Sequence, residues 1–131
     1  MDNNLPTLST ARLVLSMPTI SDLEDIIFHA NSTSEIAENT ITFPYPYEEK
    51  HAHFWLKMAE EGFTKKDAYI FVIREKENLK LIGAIGLHVD LANQKAEIGY
   101  WLGKSFWNKG YVTEALQKIV EFGFEELHLN K

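Results

Sequence analysis

Apolar positions along this chain switch their spacing between two and about 3.6 residues, and each switch marks an element. Arg12 to Met17 alternates weakly around Leu13, Val14 and Leu15 before Pro18, which predicts a first strand. Ser21 and Glu24 have capping-box spacing, and Leu23, Ile26, Ile27 and Ala30 recur at helical spacing. A short helix over 21–30 follows, with His29 a surface or boundary residue near its end. Thr33 to Asn39 extends it by a turn or two, and Phe43-Pro44-Tyr45-Pro46-Tyr47 then interrupts the pattern. From Glu48 the chain reads helical again, with His51, Phe54, Trp55, Met58 and Ala59 as an apolar-leaning stripe packed on a sheet and Gly62 as the exit.

Ala68 to Arg74 is rich in aromatic and β-branched residues and predicts a strand. Leu79 to Val89 predicts its antiparallel partner, in which Gly83 and Gly86 allow a bulge or a close backbone approach. Lys95 to Leu102 is a third extended segment. Its alternation puts Lys95, Glu97, Gly99 and Trp101 on one face and Ala96, Ile98, Tyr100 and Leu102 on the other. Val112, Ala115, Leu116, Ile119, Val120 and Gly123 then return to helical spacing, and Glu125 to Leu129 begins another strand. The order describes a mixed α/β domain whose sheet is largely antiparallel.

Composition narrows the picture. A chain of 131 residues with 45% hydrophobic content fits one domain with a real core. A net charge of -6 without basic clusters argues against a broad nucleic-acid surface. With no cysteine there is no disulfide, thiol nucleophile or thiolate metal site. The polar, acidic start lacks the features of a secretory signal, and no apolar run approaches the roughly 20 residues needed to span a bilayer. We therefore expect a cytoplasmic protein that does not enter membranes. His51 and His53 do not share a helix face, and Asp22, Glu24, Asp25 and Glu97 form no ligand pattern, so no metal is expected. Ser105 and Thr113 lack a Ser/His/Asp arrangement, which disfavours a serine hydrolase.

The stretch Gly103-Lys104-Ser105-Phe106-Trp107-Asn108-Lys109-Gly110-Tyr111-Val112 leads from the third strand into the last helix. Backbone N–H groups at such a helix start suit a phosphate, although a plain structural turn explains the glycines equally well. Together, EIGYWLG at 97–103, WNKGYVTEA at 107–115 and TARLVLSMPTISDLEDI at 10–26 resemble the GNAT superfamily of acyl-coenzyme A-dependent N-acetyltransferases, in its RimJ/RimL-like branch. Residues 10–130 follow the family order. Gly110 matches the invariant glycine of the family's [Q/R]-x-x-G-x-[G/A] pattern. Trp107 replaces the Gln or Arg, as is usual in the RimJ/RimL-like branch, and Val112 replaces the final small residue.

The resemblance implies a GNAT-like acyl-CoA N-acyltransferase fold and acetyl-CoA as cosubstrate. It implies that amides of Asn108, Lys109, Gly110, Tyr111, Val112 and Thr113 surround the pyrophosphate, and that the backbone of Tyr100, Trp101 and Leu102 pairs with the pantetheine arm. The acceptor would be a primary amine, on a small molecule or a protein N-terminus, attacking the thioester directly. Glu97 is the leading candidate for the proton acceptor, with a salt-bridged strand glutamate equally compatible; His88 is the second. Glu114 suits a structural hydrogen bond better than acid/base work. Phe43, Tyr45, Tyr47 and Trp55 fall where relatives build the acceptor wall, and core packing explains them as well. A homodimer is compatible with the resemblance. Family members continue with a further helix and two strands, so residues 1–131 read as one domain truncated at its C-terminal end. A noncatalytic acyl-CoA-binding or scaffold module is the alternative.

Overall fold

A computed structural model describes residues 5–35, 44–90, 92 and 95–126. Its strands are β1 (Leu8–Ser9), β2 (Leu13–Ser16), β3 (Ala68–Glu75), β4 (Leu81–Asp90) and β5 (Lys95–Leu102). The helices are α1 (Leu23–Ala30), entered through a 3-10 turn at Ile20–Asp22, α2 (Glu49–Lys65) and α3 (Tyr111–Glu125), which a second 3-10 turn at Lys104–Phe106 precedes. The strands form one antiparallel sheet in the order β1-β2-β3-β4-β5.

Both faces of this sheet are covered. On one, Leu13, Leu15, Tyr69, Phe71, Ile73, Ile85 and Leu87 pack with Ala115, Ile119 and Phe122 of α3. Phe122 meets Phe71 edge-on at 5.4 Å between ring centres, a favourable aromatic geometry. On the other, Val72 and Leu81 pack with Ile26 and Ala30 of α1, Tyr47, and Ala52 of α2. This double cover explains why β3 and the first seven residues of β4 read as buried runs rather than as alternation.

The strands expected at 12–17, 68–74, 79–89 and 95–102 and the helices expected at 21–30, from Glu48 and from Val112 are present, with four local differences. First, β1 was not anticipated; two residues are too few to show a period. Second, the start of α1 is organised by Thr19 and Asp22, not Ser21 and Glu24: Asp22 Oδ2 accepts the Thr19 N–H at 2.8 Å. Third, α2 runs through Gly62 to Lys65 and stops at Lys66 with φ 64°. Gly62 is there for contact, since a Cβ on it would lie 2.5 Å from Ala68 Cβ. Fourth, Phe54 faces solvent, 64% exposed, because Ala52, Ala59 and Gly62 form the buried side of α2 and leave Phe54 on the opposite face.

The bulge anticipated around Gly83 exists. Register shifts so that Ile73 pairs Gly83 while Arg74 pairs Leu81, leaving Ile82 over. The proposed helical extension at 33–39 falls mostly outside the described residues, as does Phe43. Glu125 ends α3, and the terminal strand expected from it otherwise lies outside the described residues too. Among the described residues no helix is long and apolar enough to cross a membrane.

Candidate acetyl-CoA and amine site

Beyond Leu102 the chain must turn from the sheet edge into α3 within eight residues. Asn108 (φ 62°) and Gly110 (φ 81°) make the turn by adopting the left-handed conformation, which asparagine tolerates and glycine adopts freely. The first intrahelical bond of α3 runs from Glu114 N–H to Gly110 O, 3.1 Å. The N–H groups of Tyr111, Val112 and Thr113 precede it and have no carbonyl one turn back, so they form a donor-rich helix start.

Side chains lock the loop from both ends. Trp107 Nε1 donates to Leu102 O at 2.8 Å, closing the loop back on β5. Lys104 N donates to Ser32 Oγ at 2.9 Å, and Lys104 Nζ donates to Glu35 Oε1 at 2.6 Å. Its hydrogen bond and charge hold the Glu35 carboxyl below its ordinary pKa. His29 supports the same junction: a Cβ on Gly103 would lie 2.5 Å from His29 Nδ1, and the His29 ring meets Phe106 edge-on at 5.6 Å. Burial lowers the His29 pKa, against the opposing influence of Asp25 and a hydrogen bond with the Leu81 backbone.

At the outer side stands Arg12. Its Nη1 donates to Lys109 O at 2.9 Å, its Nε to Glu114 Oε1 at 2.7 Å, and its guanidinium lies 4.5 Å from the centre of the Tyr111 ring. Glu114 Oε2 also accepts from Thr10 Oγ1 and from Arg12 N. Desolvation by itself raises the Glu114 pKa, but these bonds and the Arg12 charge outweigh it and lower the value. The structural hydrogen-bonding role expected of Glu114 is therefore what the geometry contains. Arg12, Thr10, Ser32 and Glu35 were not anticipated as part of the site.

Between the β5 edge and the start of α3 lies a cavity of about 610 Å³. Tyr100, Trp101, Leu102, Asn108, Gly110, Tyr111, Val112 and Thr113 line it, joined by Glu35, Ile98, Gly99, Phe106 and Trp107. Lys109 does not line it; its backbone carbonyl is engaged by Arg12. Among the described residues β5 is an edge strand, and alternation decides which of its peptide groups face outward. Gly103 N donates to Ile82 O at 2.8 Å and, from the other end, Val89 N to Asp67 O at 2.9 Å. In the register shown, both place the hydrogen bonds of Trp101 on Ala84 and turn those of Ile98, Tyr100 and Leu102 away from β4. Leu102 O already accepts from Trp107, so Tyr100 offers both its N–H and its C=O at the rim.

Glu97 and His88 face each other across β5 and β4, both exposed, on the side of the sheet that carries α1 and α2. A smaller cavity of about 130 Å³ opens on that side and is lined by His88 and Trp55. It shares the lining residues Gly99, Tyr100 and Trp101 with the larger one. Glu97 lines neither. Tyr47 is buried in the core, whereas Tyr45 is half exposed. Among the described residues no three His, Asp or Glu side chains form a group suited to a metal.

This arrangement has counterparts. Residues 12–131 match the acetyltransferase (GNAT) domain family. The uncharacterized N-acetyltransferase p20 of Bacillus licheniformis is 33% identical over 128 residues, covering 97% of this chain and 71% of the relative. The putative ribosomal N-acetyltransferase YdaF of Bacillus subtilis (strain 168) is 52% identical over 52 residues, 39% of this chain and 28% of that protein. The microcin C7 self immunity acetyltransferase MccE, solved with acetyl-CoA and AMP, superposes with TM-score 0.78 at 23% identity, over 93% of this chain and 67% of its own. The chain belongs to the GNAT family of acetyltransferase domains.

Proposed function

We propose that this chain transfers the acetyl group of acetyl-CoA to a primary amine, in a ternary complex and without a covalent enzyme intermediate. The observation that carries the reading is the 610 Å³ cavity, in which a strand edge with outward peptide groups meets the unpaired N–H groups of a helix start. The residues fit acetyl-CoA: the backbone N–H groups of Asn108 and of Gly110 to Thr113, which line the cavity, suit a pyrophosphate, and the outward carbonyls of Ile98 and Tyr100 suit the amide N–H groups of a pantetheine arm. Bound there, acetyl-CoA supplies the activated acyl group. The Tyr100 N–H can then stabilise negative charge developing on the acyl oxygen, and the loop fixes the approach of the two reactants. The chain spans 71% of the length of the p20 relative, and activity of the whole protein is part of the proposal.

Two carboxylate or imidazole groups compete as proton acceptor. His88 lines the small cavity behind Tyr100, and Glu97 stands opposite it across the strands. For the acceptor we favour the RimJ/RimL-like alternatives, a protein N-terminus or a small amine, supported by the 52% identity of one segment to a putative ribosomal N-acetyltransferase. Calorimetric titration with acetyl-CoA and a thiol-release assay over N-terminal peptides and small amines test the proposal. Saturable binding and amine-dependent thiol release are expected. A folded protein that does not bind acetyl-CoA overturns it; saturable binding without turnover of any amine favours a noncatalytic binding module instead.

A further inference from the structure

The His88 ring leans back along β4 instead of standing over its own cross-strand partner. On one face of a strand, residues two apart are separated by about 7 Å. A Cβ on Gly86 would nevertheless lie 3.7 Å from His88 Nε2, so the ring spans most of that gap. Its Nε2 sits toward the pair Gly86–Gly99, not beside Glu97, the residue directly opposite His88. Glycine at 86 leaves that space to the ring and to Ile70, whose Cδ1 a Cβ there would meet at 3.2 Å. The same pair borders the candidate site. Gly99 lines the acetyl-CoA cavity beside Tyr100, whose N–H and C=O face out of the sheet edge. A Cβ on Gly99 would meet nothing within 4 Å, so the surface between the ring and that edge is open. Among the described residues the imidazole takes part in no hydrogen bond or ion pair, which leaves its nitrogens available. Glu97 lies farther along β5 from Tyr100 and lines neither cavity.

We infer that His88 Nε2 accepts the proton of the transfer through water lying over Gly99, and that Glu97 does not. This rests on the proposed acetyltransferase reading and decides between the two groups that compete within it. Neighbouring strands are about 4.8 Å apart, so Nε2 stands about one strand in from the edge that would hold the acyl group. A bridging water, not direct contact, carries the proton over that distance, and an open surface is what such a relay needs. In the transfer, the amine nitrogen forms the bond to the acyl carbon, the carbon–sulfur bond breaks and the thiolate leaves with coenzyme A. The proton given up by the nitrogen passes through the water to Nε2 and from there to solvent. Nε2 accepts it only from the neutral ring, in the tautomer that carries its hydrogen on Nδ1. The charged groups around the ring are Glu97 on β5, Glu61 and Lys65 on α2, Asp67 ahead of β3, and Asp90 two places along β4. Of these side-chain types imidazole is the one that changes charge between about pH 5 and 8, which gives the relay a signature in pH.

The test uses the full chain and its His88→Ala, His88→Gln and Glu97→Gln variants. Acceptors are peptides with a first residue of Ala or Ser, and propylamine, with thiol release as the readout. Both positions are exposed, so the variants are expected to fold and to bind acetyl-CoA within about twofold of the parent. A positioned general base is worth about 100-fold or more, so kcat/KM at about pH 7 should fall by about that factor in both His88 variants. The parent profile of kcat/KM should carry an acid limb between about pH 5 and 8 that Glu97→Gln keeps and both His88 variants lose. Ionisation of the acceptor amine enters every profile alike, so the difference between variants isolates the ring. Added imidazole should restore part of the activity of His88→Ala, which a merely structural role of the ring would not allow. Parental kcat/KM in the His88 variants, an acid limb lost in Glu97→Gln and kept in His88→Gln, a loss in His88→Ala that imidazole does not relieve, or no turnover of these acceptors by protein that binds acetyl-CoA overturns the inference. Failure of the parent to bind acetyl-CoA overturns the proposed function itself.

Discussion

Arg12 Nε donates to Glu114 Oε1 at 2.7 Å, tying the residue ahead of β2 to the first turn of α3 across 102 positions of sequence. Because Arg12 also holds Lys109 O, this pair ties the middle of the left-handed turn at Asn108 to Gly110 to the first turn of α3. Glu114 is only 18% exposed and has several donors, so it exceeds an ordinary surface pair. Arg12→Ala should cost about 1–2 kcal/mol of stability in urea unfolding and weaken acetyl-CoA binding by about fivefold in calorimetry. Unchanged affinity would show that the turn holds its shape without Arg12.

Acid should selectively remove this contribution. The donors around Glu114 hold its carboxyl below the ordinary value of 4.5 despite desolvation. A folded value below the unfolded one gives stability that is complete above the unfolded value and is lost as pH falls through the folded value. Parent and Glu114→Gln should therefore differ in urea midpoint at about pH 7, and the difference should shrink as pH falls below the unfolded value of 4.5 and through the lowered folded one. A gap that persists at low pH would mean that the loss in the variant comes from packing rather than charge.

Trp107 gives a more local test. Its indole is the group that occupies Leu102 O, and phenylalanine keeps most of the ring while deleting that donor. Trp107→Phe should lose about 1 kcal/mol of stability and several-fold in acetyl-CoA affinity, measured by thermal melting and calorimetry. The prediction fails if affinity holds while stability drops, since the bond would then serve the fold alone.

A buried ion pair on the opposite face is structural. Asp22 accepts from Arg74 Nη1 at 2.8 Å and Nη2 at 2.9 Å, while Arg74 Nε donates to Ser16 Oγ at 2.8 Å. Asp22→Ala leaves the guanidinium 17% exposed and unpaired, at a cost of about 3–5 kcal/mol. Chemical unfolding of Asp22→Ala and of Asp22→Ala/Arg74→Ala checks this: the double variant should recover part of the loss.

These contacts also explain what the sequence could reveal. The limits of β5 and its two faces were legible because Ile98 and Leu102 enter the α3 core while Trp101 packs on the other side. The loop was legible through Gly110 and its neighbours, whose spacing is local. Arg12–Glu114 and Asp22–Arg74 were not, because no periodicity relates residues so far apart. Alternation along β5 also gave the side-chain faces but not the direction of the peptide groups; only the pairing with β4 shows that Tyr100, and not Trp101, turns its backbone outward.

Gly62 is the clearest case in which a local rule misread a tertiary contact. A glycine near the end of a helical pattern suggests an exit, yet here α2 continues to Lys65 and the missing side chain lets β3 approach. Gly62→Ala should gain about 0.8–1 kcal/mol of helix propensity but lose about 1–3 kcal/mol to overpacking against Ala68. The 2.5 Å separation from Ala68 Cβ favours the upper part of that cost, so net destabilisation is expected. Ala68→Gly removes the opposing atom, and in the double variant the helix gain should reappear. Urea unfolding of the four proteins measures the coupling, which should exceed about 0.5 kcal/mol. Additive effects would show that the contact with Ala68 is not why residue 62 is glycine.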